Sequence, residues 1–234
     1  PYTGSEAMSS SIAMNKVLAK KAFTNHGIKT PYHSLIKLGD DLKEKVKYAF
    51  HHFFLPLIVK PASSGSSIGT TLVKDFNHLE EAFKKALAHA DTILMEEYIK
   101  GREATCMVID HFRDEALHSL IPVEIKFPEE HDFYNFDAKY GGKTHEIVPS
   151  RFSQSEKDEL QRLAKHIHQS LGLRHYSRSD FIVTPRRGIF ALEVNSLPPL
   201  VDNRATIASL EASGISLSDF LEHILVQALN KRGN

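Results

Sequence analysis

Two apolar runs near the C-terminus constrain this chain most. Arg178-Ser179-Asp180-Phe181-Ile182-Val183 and Phe190-Ala191-Leu192-Glu193-Val194-Asn195 flank the turn signal Pro185-Arg186-Arg187-Gly188, which makes them the arms of a β-hairpin. A turn centred between Arg186 and Arg187 sets Asp180 opposite Glu193 and Arg178 opposite Asn195. Side chains alternate faces with period two, so these four share one face, while Phe181, Val183, Phe190, Leu192 and Val194 take the core-facing side. Carboxylates about 5 Å apart at Cβ repel unless positive charge lies between them. Oxygen donors of this kind suit magnesium, which usually takes one or two carboxylates and completes its shell with phosphate and water oxygens. A slip of one residue in register would undo the arrangement.

A second stretch complements the first. Leu57-Ile58-Val59-Lys60 reads as a buried strand that delivers a lysine into Pro61-Ala62-Ser63-Ser64-Gly65-Ser66-Ser67-Ile68-Gly69. Such a loop of small, hydroxyl-rich residues can wrap around phosphate oxygens. Phosphate loop and carboxylate pair together point to a magnesium nucleotide. Each residue also has a plainer role open to it: the acids can line a solvated strand face, and Lys16 can lie on an ordinary amphipathic helix.

Composition narrows the remaining classes. At 234 residues the chain can bury the core of one or two domains, and its 29 basic residues balance 29 acidic ones. No global field recruits nucleic acid or an anionic membrane. The single cysteine, Cys106, excludes an intrachain disulfide and lies in a run that reads as strand core. No apolar run is long enough to span a bilayer, and no signal-peptide pattern is present, so a cytoplasmic location is expected. The fourteen histidines are dispersed; His166 and His168 are two apart on a predicted helix and face different ways.

Along the chain, a helix is predicted over about 9–26, ending before Gly27 and carrying Lys16. A second fits 76–90, with Leu79, Phe83 and Leu87 on one face. Strands are expected at Leu57–Lys60, Thr92–Tyr98 and from Glu103 through Ile109. Residues 126–145 form a long polar and aromatic stretch with the character of a lid. Ser153 and Glu156 form a capping-box pattern ahead of a helix bearing Leu160, Leu163, Ile167 and Leu171. Ser216 and Asp219 mark the start of a last helix. Helices and antiparallel strands alternate without βαβ regularity, so the class is α+β.

Nine segments occur together and in order: Pro1–Ser5, Ala13–Lys16, Ile58–Pro61, Gly65–Gly69, Glu96–Ile99, Gly101–Glu103, Ala138–Tyr140, Arg178–Asp180 and Leu192–Asn195. With these the chain resembles the D-alanine–D-alanine ligases of the ATP-grasp superfamily, from Pro1 to about Leu229. The resemblance implies two α+β subdomains clasping a nucleotide, residues 1–96 with the phosphate loop and 97–234 with the metal and catalytic residues and the lid. It also implies an N-terminal preATP-grasp domain upstream of Pro1, which supplies a glutamate to the first substrate; that domain is expected to be absent here. The implied reaction is ATP-dependent ligation of two D-alanines through an acylphosphate, for peptidoglycan precursor synthesis.

The resemblance assigns roles residue by residue. Lys16 and Lys60 would hold ATP phosphates, with Ser66, Ser67 and Lys139 beside them. Glu96 would meet the adenine amino group, the backbone of Glu97 to Ile99 the rest of the base, and Glu103 the ribose. Asp180, Glu193 and Asn195 would hold two magnesium ions, or manganese in their place. Arg178 would stabilise the transferring phosphoryl group, and Ser66 and Tyr140 would lock loop to lid. A homodimer is the expected assembly, with D-alanine or a related amino acid as substrate.

Two positions depart from the family's pattern. Pro199 stands where the family has a glycine whose N–H serves the oxyanion hole, and proline has no N–H. Arg204-Ala205 replaces the Ser-Leu that receives the second substrate's carboxylate. Nucleotide and metal positions match; acceptor positions do not. The alternatives are therefore an ATP-grasp ligase with a different amine acceptor, and a nucleotide-binding fragment or pseudoenzyme that acts through interaction.

Overall fold

The computed structural model describes residues 1–63, 68–126, 145–200 and 204–230. Two antiparallel sheets organise them. The smaller has four strands, β1 (His33–Lys37), β2 (Leu57–Pro61), β3 (Thr71–Val73) and β4 (Thr92–Glu97), in the order β1-β4-β2-β3. Alternation decides its faces. Leu57, Val59, Ile93 and Met95 point to one side, where α3 (Leu42–His52) and α4 (Leu79–Leu87) bury them with Ala49, Leu79 and Phe83. Ile58, Lys60 and Glu96 therefore belong to the opposite side, away from those helices.

The larger sheet runs β10-β9-β5-β7-β8, with β6 (Glu115–Ser119) also paired to β5 (Arg102–Phe112). The other strands are β7 (Val123–Lys126), β8 (His145–Ile147), β9 (Tyr176–Thr184) and β10 (Gly188–Asn195). One face carries Ala104, Cys106, Val108, Phe181, Val183, Ala191 and Val194. It packs against α1 (Ala7–Met14), α2 (Lys16–Asn25) and α5 (Gln154–Ser170) through Ala13, Phe23, Leu160 and Ile167. On the other face, α6 (Arg204–Ala212) and α7 (Leu217–Asn230) cover Met107, Ile109 and Tyr176 with Leu210, Phe220 and Ile224. The rest of that face carries the polar site. Strand β4 runs through Glu97, and the first two helices pack on the larger sheet.

The predicted strands and the α5 capping box are present; Ser153 accepts from the Glu156 N–H, and the Glu156 carboxylate accepts from the Ser153 N–H. The expected helix over 9–26 is two helices. Asn15 leaves helical geometry and caps α2, its side chain accepting from the Val17 and Leu18 N–H groups at 3.0 and 3.2 Å. An asparagine competes well for N-terminal donors, so it starts a new helix here instead of continuing the old one. The helix expected over 76–90 opens with a 3-10 turn, Phe76–His78, and its α-helical part ends at Leu87. Cys106 is buried in β5, and burial pushes its thiol up to about 12, which makes it inert.

Gly101 joins β4 to β5 at a close approach. A Cβ there would lie 2.4 Å from Ile182 Cγ2 and 2.6 Å from the Val183 carbonyl oxygen. Because one obstacle is backbone, Gly101→Ala is expected to cost about 1–3 kcal/mol. Urea denaturation checks this; an unchanged midpoint would show that the turn shifts freely.

Candidate active site

The predicted hairpin pairs occur, by a different route. The turn itself pairs Gly188 with Thr184, and that register carries through Ala191 opposite Phe181. Continued unchanged, it would put Leu192 beside Asp180 and turn Glu193 towards the helices. A bulge between Ala191 and Glu193 inserts one residue, after which Glu193 opposes Asp180 and Asn195 opposes Arg178. The bulge corrects one expectation. Phe190 and Leu192 do not join Phe181, Val183 and Val194 in the helix-facing core but pack with Ile99 and Ile182 on the other side. The Ala191 N–H donates to the Lys29 carbonyl at 2.8 Å.

Four polar groups therefore stand on one open face. The Arg178 guanidinium grips Asp180 with two bonds, Nε to Oδ1 at 3.2 Å and NH2 to Oδ2 at 3.3 Å. Thr105 Oγ1 donates to Asp180 Oδ1 at 2.6 Å, fixing the carboxylate from β5. Lys16, the first residue of α2, reaches Glu193 Oε2 at 3.4 Å. All donors available to a cation here are oxygens: two carboxylates and the Asn195 amide. That set fits magnesium, whose remaining ligands come from phosphate and water. The cations Lys16 and Arg178 already sit where the acids need positive charge. Among the described residues no cluster of three or more His, Cys, Asp or Glu offers an alternative metal site.

The opposing face of the smaller sheet holds a buried ion triad. Lys60 and Glu96 are diagonal neighbours on β2 and β4, since Ile58 pairs with Glu96. Lys60 Nζ lies 2.8 Å from Glu96 Oε2, and Lys20 Nζ, from α2, lies 3.0 Å from Oε1. Lys20 also donates to Thr30 Oγ1 at 2.6 Å. Burial alone would raise the Glu96 carboxyl, but Lys20 and then Lys60 outweigh it and hold the group at about 2. Burial also lowers the Lys20 ammonium to about 8, against the pull of Glu96.

The remaining predicted residues divide clearly. At Glu97, burial opposes ionisation, yet two Arg187 bonds (2.8 and 3.1 Å) and the Tyr32 N–H hold the carboxyl below its ordinary value. The Glu97 N–H donates to the Tyr32 carbonyl and the Tyr98 N–H to that of Pro56, so these two are already engaged; Ile99 is buried beside Phe190. Glu103 pairs with Ile182 in register, on the face that carries Thr105 and Asp180. Pro199 is exposed beyond β10. Ser66, Ser67, Lys139, Tyr140 and almost all of the expected lid lie outside the described residues, as does the Arg204 side chain. The lid's ends, Lys126 and His145, are paired across β7 and β8.

Three contributors were not anticipated. Lys20 stands four residues after Lys16 on the same helix, a spacing that could have flagged it. Thr105 is two residues from Glu103 on one strand, hence on the same face. Arg187 had no sequence signal beyond its place in a turn.

The triad makes a pH prediction. The folded Glu96 carboxyl at about 2 lies below its ordinary 4.5, so its contribution to stability is full above about 4.5 and is lost as pH falls through 2. Glu96→Gln should remove that acid limb. It should also cost about 3–5 kcal/mol at pH 7, because buried Lys20 loses its counter-charge. Chemical denaturation of both proteins between pH 7 and the acid limit measures this; identical acid limbs would show that Glu96 is not the group responsible.

Known proteins resemble this chain in sequence and fold. A family model described as "D-ala D-ala ligase C-terminus" matches residues 22–226. The D-alanine–D-alanine ligase of Geotalea uraniireducens is 35% identical over 232 residues, covering 99% of this chain and 71% of that protein. The Streptomyces coelicolor enzyme is 32% identical over 238 residues, with 99% of this chain and 60% of that protein covered. Among solved structures, the D-alanine–D-alanine ligase from Bacillus anthracis matches with a TM-score of 0.82 at 30% identity, over 99% of this chain and 72% of that one. The VanG D-Ala:D-Ser ligase from Enterococcus faecalis matches with a TM-score of 0.85 at 27% identity, over 96% of this chain and 64% of that one. This chain thus spans between three-fifths and three-quarters of the proteins it matches here. With the family match running through both sheets, the chain belongs to the D-alanine–D-alanine ligase family.

Proposed function

We propose that this chain is the nucleotide-binding and phosphoryl-transferring part of an ATP- and magnesium-dependent ligase that forms D-alanyl-D-alanine for peptidoglycan precursors. A homodimer in the cytoplasm is the assembly and compartment this reading carries; no helix among the described residues is long and apolar enough to cross a membrane. The observation that carries it is the single face bearing Arg178, Asp180, Glu193 and Asn195, with Lys16 against Glu193.

The chain's own groups have distinct work in this reading. Glu96 accepts from the adenine amino group, the segment ending at Ile99 borders the base, and Glu103 meets the ribose. Lys16, Lys60, Ser66 and Ser67 hold phosphate oxygens, and Ser66, Lys139 and Tyr140 close over them. Asp180, Glu193 and Asn195 hold magnesium or manganese. Bound MgATP supplies the phosphoryl group and the positive charge that satisfies these acids. A substrate carboxylate oxygen attacks the terminal phosphorus and ADP leaves; a second amine then attacks the acyl carbon, losing a proton as phosphate departs. Arg178 stabilises the negative charge that develops in both steps.

Calorimetric titration of the folded chain with MgATP tests the nucleotide site directly. Absence of binding would sink the reading. Glu193→Gln in the complete enzyme should lower turnover by about two or three decades, while nucleotide affinity falls far less because the base contacts remain. Near-normal turnover at low magnesium would remove Glu193 from the metal site.

A second reading keeps the chemistry and changes the acceptor. Pro199 offers no N–H where the family uses one, and Arg204 presents a cation where it has Ser-Leu. In this reading the oxyanion leans on Arg178 without a donor from residue 199, and synthesis of D-alanyl-D-alanine is slow. Phosphate release with a panel of D-amino acids identifies the preferred acceptor. Pro199→Gly should raise D-alanine turnover, up to about a hundredfold if one donor is restored; fast wild-type synthesis with no gain from the variant would show that residue 199 is not at the oxyanion.

A further inference from the structure

Glu96 has two counter-ions, and they are not equivalent. Lys20 has no solvent exposure at all, and its ammonium is held between Glu96 Oε1 and Thr30 Oγ1. Its helix packs on the larger sheet through Ala19 and Phe23. Lys60 meets the other oxygen, keeps 12% exposure, and stands at the root of the phosphate loop. Glu96 itself is almost completely buried, with Lys60 against its Oε2.

We propose that Lys20 is a positioning residue for base recognition, the permanent counter-ion that keeps Glu96 ionised and aimed while Lys60, its exchangeable counter-ion, transfers to phosphate. This rests on the reading in which Glu96 accepts from the adenine amino group. A buried carboxylate stripped of both cations takes up a proton and becomes a donor, which suits a carbonyl and not an amino group. Lys20 prevents that at the moment Lys60 leaves. The other charged or titratable groups around the pair are His33, opposite Glu96 on β1, and Glu97. Burial and then Lys20 hold the His33 imidazole below its ordinary value.

The experiment is calorimetric titration of the chain with MgATP and MgITP, which differ in carrying an amino group or a carbonyl at the purine 6-position. The wild type is expected to prefer ATP by at least about tenfold. Lys20→Met, checked for folding by its thermal transition, should lose ATP affinity but little ITP affinity, so that the ratio collapses towards one or inverts. Lys60→Met should weaken both equally and preserve the ratio. A purely structural role for Lys20 would instead lower both affinities together. The wild-type ratio measured from about pH 7 to 8.5, below the range in which the hypoxanthine ring itself ionises, needs no variant: it should fall as Lys20 loses its proton near 8. A wild type that does not discriminate would refute the role of Glu96 itself. A discriminating wild type whose ratio is flat with pH, or survives in Lys20→Met, would overturn the proposal and leave that role standing.

Discussion

The parity of β10 is the constraint on which the site depends. Ala191 faces the helices and Glu193 faces the open side, although both numbers are odd, because the bulge between them adds one residue. Without it, strict alternation from the turn would pair a leucine with Asp180 and drive Glu193 into the core under α1 and α2, where an unpaired carboxylate is costly. The same insertion also brings Phe190 and Leu192 to the open side beside Ile99 and Ile182. One irregularity thus builds both an acidic patch and an apolar patch on one face, the two surfaces a nucleotide needs for its phosphates and its base.

Helix α2 links the two sheets. Its first residue, Lys16, reaches Glu193 on β10, and Lys20, one turn later, reaches Glu96 on β4. The starting point of the helix sets both reaches, and Asn15 sets the starting point by capping it. The Lys16 N–H donates to the Ala62 carbonyl at 2.9 Å, which ties the same helix start to the end of β2. An uninterrupted helix over 9–26 would have carried these lysines at another angle. The interruption that periodicity missed is therefore the feature that aims them.

What was legible in the sequence follows from what local patterns encode. Short apolar runs placed Lys60 and Glu96 on strands, a local property, whereas Asp180 came opposite Glu193 because the bulge offsets a turn register one residue away from the expected one. The α5 capping box was readable because it too is local. The bulge was not, since it depends on the Lys29 carbonyl waiting for the Ala191 N–H from a distant segment. Nor could pattern show that Lys20 would be fully buried. A lysine on a helix is ordinarily solvated, and only the tertiary placement of Glu96 and Thr30 makes its burial tolerable. The Arg187 clamp on Glu97 likewise joins a turn to a strand of the other sheet.

These ion pairs explain how a chain with balanced charge can take a highly anionic ligand. Asp180 is held by Arg178, Glu193 by Lys16, Glu96 by Lys20 and Lys60. Each of these three acids is thus compensated before any ligand arrives, and all the cations but Lys20 are those that the proposed reading turns to phosphate. In that reading a divalent metal would take over from Lys16 and Arg178 at the paired carboxylates, while Lys20 would remain at Glu96. The exchange moves positive charge between partners without stranding a buried acid, which a long-range field could not do. In that reading, local swapping of counter-ions, and not net charge, serves binding.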